Sequence, residues 1–170
     1  MGLSDAPLTR GGPVGPAQML IAGSFFMLRE VEMSLALWQS ITLETDRCLI
    51  TWSLPASKTD PKALGEFRSW GCVCADPDPL DVVADQTRCP YHAILRQRAA
   101  VCAALGCRTV DLIGVPVFPT AEGLTCSKDA VVATFRAVGA MTGKDEAAVN
   151  GLGGALMPRD GCPTSSTIRF

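Results

Sequence analysis

The sequence predicts a mainly α-helical chain with a small antiparallel β-hairpin or three-stranded sheet, an α+β fold. Three observations carry this. Apolar residues recur at three-to-four spacing over several long stretches, the mark of helices with a buried face. One run, Cys48 to Leu54, is rich instead in Thr, Leu, Ile and Trp and is closed by Pro55, as a strand would be. The chain has 170 residues and 48% hydrophobic content, enough for one domain with one core and too apolar for a disordered chain.

In chain order, residues 1 to 17 hold clusters of glycine and proline without periodicity and read as a flexible lead-in. Pro16 and Ala17 open a first helix expected to run to about Gln39, with Leu20, Ile21, Phe25, Leu28, Val31, Leu35 and Trp38 at helical spacing. It is apolar nearly all round, which implies burial on several sides. The strand at 48–54 follows. Ala93 to Leu105 is a second helix, with Leu95, Ala99, Cys102 and Leu105 on one side and Gly106 as its terminator. Val115 to Pro119 reads as an extended link. Lys128 to Met141 is an amphipathic helix with Val131, Val132, Phe135 and Val138 inward, capped by Ser127 or Thr125. From about residue 144 the chain is a Gly-, Ser-, Thr- and Pro-rich tail with no apolar face.

No apolar run is long enough to cross a bilayer, and the start lacks a basic segment before an apolar one, so neither a membrane span nor a signal peptide is expected. A net charge of −2 argues against nucleic-acid binding driven by overall charge. Binding to DNA needs a local basic face, to which Arg88, Arg96, Arg98 and Arg108 could contribute; a solvated helix face would look the same.

Eight cysteines in a chain with an intracellular character point to metal or free thiols before disulfides. Cys72-Val73-Cys74 is followed after 14 residues by Cys89-Pro90-Tyr91-His92. Two short ligand pairs, Cys-x-Cys and Cys-x-x-His, can close a tetrahedron of nitrogen and sulfur donors around zinc. With all four positions filled by protein the site is structural, pinning the loop that carries Asp76, Pro77, Asp78 and Pro79 and stapling the first turn of the next helix. Cys102 and Cys107 read as buried or idle thiols.

Arg29 lies in an apolar stretch, with Glu32 three residues on, a helical neighbour that can hold it. Lys58 sits in a turn beyond the strand. Taken alone, these residues fit a surface ion pair and a solvated lysine equally well. As a series, Arg29-x-x-Glu32, then Trp38 and Ile41, then a strand and Ser57-Lys58-Thr59, the stretch resembles the first half of the catalytic domain of tyrosine recombinases, the phage-integrase-like enzymes. The wider string from Leu54-Pro55-Ala56-Ser57-Lys58-Thr59 through Cys72, Cys74 and Cys89 to Gln97 is similar to a divergent, cysteine-bearing eukaryotic branch. Phe118-Pro119, Gly123 and Ser127-Lys128 are similar to the family's lead into its next helix, so that the resemblance covers roughly residues 20 to 143.

The resemblance implies a partial integrase-like catalytic core in which Arg29 and Lys58 are catalytic residues that grip the scissile phosphate. Lys58 would act as general acid on the leaving oxygen, with DNA as partner and the nucleus as the place of action. The family also needs a His-x-x-Arg box, a further His or Trp, and a nucleophilic tyrosine. The chain's one histidine is His92 and its one tyrosine is Tyr91, both far upstream of those positions. The expected product is therefore a C-terminally truncated recombination domain that binds DNA phosphate and does not cut. A reading frame moved forward by one nucleotide over Gly154 to Thr164 permits a string containing His-x-x-Arg, so a frameshift near residues 144 to 153 is expected. The alternatives are a non-catalytic, zinc-stapled helical binding module and a functionless mobile-element remnant.

Overall fold

The computed structural model describes residues 5–54, 65–74 and 88–142. Helices α1 (Pro16–Phe25) and α2 (Glu30–Leu35) come first, followed by a 3-10 turn at Trp38–Ser40. Strands β1 (Ile41–Glu44), β2 (Leu49–Leu54) and β3 (Glu66–Gly71) form one antiparallel sheet in that order. Helix α3 (Pro90–Leu105), a 3-10 turn at Thr109–Asp111 and helix α4 (Lys128–Met141) complete a small α+β fold.

The core lies between the inner face of the sheet and α1, α3 and the 115–119 link. Alternation along β2 turns Ile50, Trp52 and Leu54 inward. The Trp52 ring meets Phe26 at 5.3 Å and Phe118 at 6.3 Å, tying the sheet to the end of α1 and to the link. Across the ladder, Ile50 faces Trp70, Trp52 faces Arg68 and Leu54 faces Glu66. The inner face of β3 thus carries an arginine directly opposite the central tryptophan.

The helix expected from Pro16 to about Gln39 is broken. α1 stops at Phe25, and α2 starts at Glu30 with Arg29 at its N-cap. Between them the Leu28 N–H donates back to the Gly23 carbonyl at 2.9 Å, and Met27 takes a left-handed φ of 50°. This is a Schellman-type closure with methionine where glycine is usual. Its two loose carbonyls are taken up from far away: Arg68 Nη1 donates to Phe26 O at 2.6 Å and to Met27 O at 2.7 Å. Phe25 to Leu28 are all apolar, so nothing local announces the stop. A side chain 42 residues on holds it.

The stretch read as a flexible lead-in is partly built into the body. Residues 12–16 are buried. The Val14 N–H donates to Pro119 O at 2.8 Å and the Gly15 N–H to Asp5 O at 2.8 Å. Fully buried Gln97 of α3 fastens both sides, its Nε2 donating to Val14 O at 3.0 Å and Val117 O at 2.7 Å. Glycine and proline exclude a helix or strand here, but they do not exclude packing.

The other helices follow the sequence closely. Pro90 occupies the first turn of α3, and Gly106, at φ 61°, ends it. Ser127 caps α4 by accepting from the Ala130 N–H at 3.1 Å. α4 packs on α2, where Lys128 pairs with Glu30 at 3.1 Å. Among the described residues no helix is long and apolar enough to cross a membrane. The tail at 144–170 and the acidic, proline-containing stretch at 75–87, read above as a loop, lie outside the described residues.

Candidate functional site

Cys72 and Cys74 follow immediately on β3. The Cys72 N–H prolongs the strand by donating to Cys48 O at 2.8 Å. Cys89 is the N-cap residue of α3, and His92 sits in that helix's first turn, fully buried beneath the edge of the Tyr91 ring at 5.1 Å. One strand end and one helix start therefore supply the two ligand pairs, and their donor atoms all lie within 4.8 Å of one another. The cluster of Cys72, Cys74, Cys89 and His92 could hold a metal ion.

The distances can be set against a tetrahedron. With metal–sulfur bonds of about 2.3 Å and a metal–nitrogen bond of about 2.0 Å, its sulfur–sulfur edges are about 3.8 Å and its sulfur–nitrogen edges about 3.5 Å. Cys89 Sγ lies 3.6 Å from Cys72 Sγ. His92 Nδ1 lies 3.6 Å from Cys72 Sγ and 3.5 Å from Cys74 Sγ. All three match the edges of a coordination shell. Backbone amides surround the sulfurs: Cys74 N–H donates to Cys72 Sγ at 3.3 Å and Val73 N–H to Cys89 Sγ at 3.5 Å. Such donors orient thiolates and spread their charge.

The electrostatics differ from sulfur to sulfur. Burial pushes Cys89 up, but the backbone N–H groups of His92 and Val73, together with hydrogen bonds from the His92 and Cys72 side chains, outweigh it and bring the thiol down to about 6. Burial, followed by the neighbouring sulfurs, pushes Cys74 up to about 12. Burial also pushes Cys72 up. Cys89 is thus the sulfur that most readily becomes a thiolate, and binding of a metal requires the other two thiols to release their protons to solvent.

No family model, characterised protein or solved structure matches this chain. What the site can do therefore rests on its own chemistry.

Arg29 is not inside a buried helical run. Its side chain is 53% exposed, above a Glu32 side chain that is only 12% exposed. Glu32 Oε1 accepts from Arg29 Nε at 3.0 Å and from Nη2 at 2.7 Å, while Oε2 accepts from the Arg29 backbone N–H at 2.8 Å. The carboxylate thus supplies the return half of a capping box, caps the Arg29 N–H and clamps one edge of the guanidinium. The hydrogen bond to Glu32 and that residue's charge push the guanidinium still higher, so it is a permanent cation. Lys58 lies at 55–64, between β2 and β3 in sequence and outside the described residues.

Two of the arginines that could contribute to a basic face are engaged elsewhere. Arg96 is half-buried close to Cys89 and Cys74, and burial pulls its pKa down against their charges. Arg108 pairs with Asp111 at 3.4 Å beyond the other end of α3. Two residues whose side chains hold distant backbone in place escaped sequence reading, Arg68 and Gln97. The signal for Arg68 was a charged residue on the inward phase of a strand alternation. Gln97 offered none beyond being a polar residue within an apolar helix face. Tyr91, the chain's one tyrosine, is fully buried and packs on His92.

Proposed function

We propose that Cys72, Cys74, Cys89 and His92 hold a structural zinc ion, and that the chain is the first part of a DNA strand-exchange domain of the tyrosine-recombinase type. In this reading it binds a DNA phosphate through Arg29, with Lys58 as second cation, and does not cut. Zinc is favoured by the donor set, three thiolates and an imidazole in a shell with no position left for water. Three thiolates outweigh the ion's two positive charges, and half-buried Arg96 beside them offsets the excess.

The observation that carries the DNA reading is the Arg29 clamp. Glu32 fixes Nε and Nη2, and Nη1 has no partner among the described residues. A guanidinium held along one edge and open to solvent along the other is preorganised for an oxyanion and loses little freedom on binding it. The sequence order Arg29-x-x-Glu32, strand, Lys58-Thr59 adds the resemblance described above. Cleavage needs a phenolate, and buried Tyr91 does not offer one to a phosphate. The zinc ion stays outside the phosphate chemistry and only holds the scaffold.

The test is fluorescence anisotropy of the zinc-loaded chain on a nicked duplex. Arg29→Ala is expected to weaken binding about tenfold and to lower the salt slope by about one. Unchanged affinity and slope would remove the DNA reading and leave the zinc site untouched. One observation favours a second reading, a zinc-stapled module that docks on another protein. Val31 and Leu35, one turn apart on α2, are 42% and 61% exposed, and Phe67 of β3 is 72% exposed. Under that reading Arg29→Ala leaves DNA affinity as it was.

A further inference from the structure

The structure links the metal cluster to Arg29 through one side chain. β3 runs directly into Cys72 and Cys74, and Arg68 lies four residues before Cys72. Its guanidinium leaves the inner face of the strand and forks. Nη1 donates to Phe26 O and Met27 O, and Nη2 to Glu66 Oε2 at 2.9 Å. Phe26 and Met27 form the stop of α1, and Arg29, two residues past Met27, starts α2. Two ring contacts hold the same joint to the same strands, Phe25 on Trp70 at 5.3 Å and Phe26 on Trp52 at 5.3 Å.

The apolar sequence from Pro16 onward favours an unbroken helix, and Met27 pays for the break with a left-handed backbone. Without Arg68, two carbonyls at the joint lose a charged donor and the strained turn loses its support. The break could then relax toward helix, which turns the Arg29 N-cap and its clamp with Glu32 away from their present direction. Holding the strand end to α3 holds Arg68, and Arg68 holds the joint.

We propose that Arg68 is a positioning residue for Arg29, and that through it metal occupancy and anion binding are coupled. The coupling half of this rests on the DNA-phosphate reading above; the positioning half does not. Because coupling between two binding equilibria is reciprocal, DNA must tighten the metal by the same factor that the metal tightens DNA.

The experiment uses the full chain, zinc-loaded and 15N-labelled, as wild type, Arg68→Gln and Arg68→Lys. It reads zinc stoichiometry, the Arg29 Nε–Hε resonance assigned through Arg29→Lys, and anisotropy on the nicked duplex. Arg68→Gln is expected to keep its zinc, to shift the Arg29 resonance away from its Glu32-bonded position, and to lose about tenfold in DNA affinity. Combining Arg68→Gln with Arg29→Ala should cost no more than Arg29→Ala alone. Arg68→Lys keeps a cation but reaches fewer acceptors, so it should give a smaller shift and recover part of the affinity.

An Arg29 resonance unmoved in Arg68→Gln, with DNA affinity intact, overturns the proposal. If Arg68→Gln does not fold, an unmoved resonance in Arg68→Lys overturns it equally. If Arg29→Ala itself leaves DNA binding unchanged, the DNA reading has failed, and the resonance alone decides whether Arg68 positions Arg29.

Discussion

Removing one sulfur tests the metal centre most cleanly, and Cys74→Ser is the substitution of choice. In the metal-free protein burial holds the Cys74 thiol up to about 12, so it is neutral at pH 7 and serine replaces it without a change of charge. The metal-free fold should lose little. The metal-bound fold should lose most of what the ion contributes. With free zinc at about a thousand times its dissociation constant, a ligand of the native state adds about 4 kcal/mol. For a chain of 170 residues that is roughly 8 to 16 °C in Tm. Thermal melts with zinc and with a chelator should thus differ by that amount in wild type and by far less in Cys74→Ser. X-ray absorption of the loaded protein should show three sulfurs at about 2.3 Å and one nitrogen at about 2.0 Å. The pH dependence has a definite sign. Bound sulfurs must be deprotonated, so apparent affinity rises with pH. It should fall more steeply below about pH 6, where Cys89 also takes up a proton that must be displaced. A melt indifferent to the chelator, or a first shell made of oxygen and nitrogen, would refute the reasoning.

Two further outcomes follow from the packing and charges. A Cβ on Gly15 would lie 1.8 Å from Gln97 Oε1, and the backbone there has φ +71°. Gly15→Ala should cost more than about 3 kcal/mol, because Gln97 is pinned by two hydrogen bonds and cannot step aside. Gly106→Ala, at φ +61° with nothing within 4 Å, should cost about 1 kcal/mol. Equal urea midpoints for the two variants would contradict this account of Gln97. Glu30 is held below the ordinary carboxylate range, first by its backbone N–H and then by Lys128, against the opposing effect of burial. A depressed carboxylate stabilises the fold above its ordinary pKa and loses that contribution as pH falls through its folded value. Glu30→Gln should therefore lower stability at pH 7 by no more than about 1 kcal/mol, and the deficit should close as pH falls from the ordinary carboxylate range through the depressed folded value. A deficit that persists in acid would assign the effect to packing.

What the sequence disclosed and what it hid divide along a physical line. Local signals were readable: the glycine closing α3, the serine capping α4, the alternation in β2, and ligand pairs whose short spacings bring donors to one side of an ion. The capping residues act within four positions of themselves. The break between α1 and α2 was hidden because its stabiliser is Arg68, and no window on the helix contains it. The burial of residues 12–16 was hidden for the same reason, since Gln97 supplies the donors. At the candidate site, the Arg29–Glu32 pair was visible at i, i+3. Its exposure was not, because an arginine flanked by apolar residues reads the same whether it caps a helix or lies inside one.

β3 is where these long-range effects converge. Among the described residues it is an edge strand, paired only with β2, and its burial is poor: Phe67 and Ser69 face outward and Trp70 is 39% exposed. A strand with so little apolar area to hide has little of its own to keep it in register. It is secured by discrete polar devices, the Arg68 fork in its middle and the Cys72–Cys74 pair just past its end. At about 3.3 Å per residue these two anchors lie about 13 Å apart, short enough for one extended segment to carry strain from one to the other. Beyond its ladder with β2, β3 is joined to the helices through these anchors and the Phe25–Trp70 contact, so that releasing one anchor loads the others. That property makes occupancy of the cysteine–histidine cluster relevant to Arg29, which touches none of its ligands.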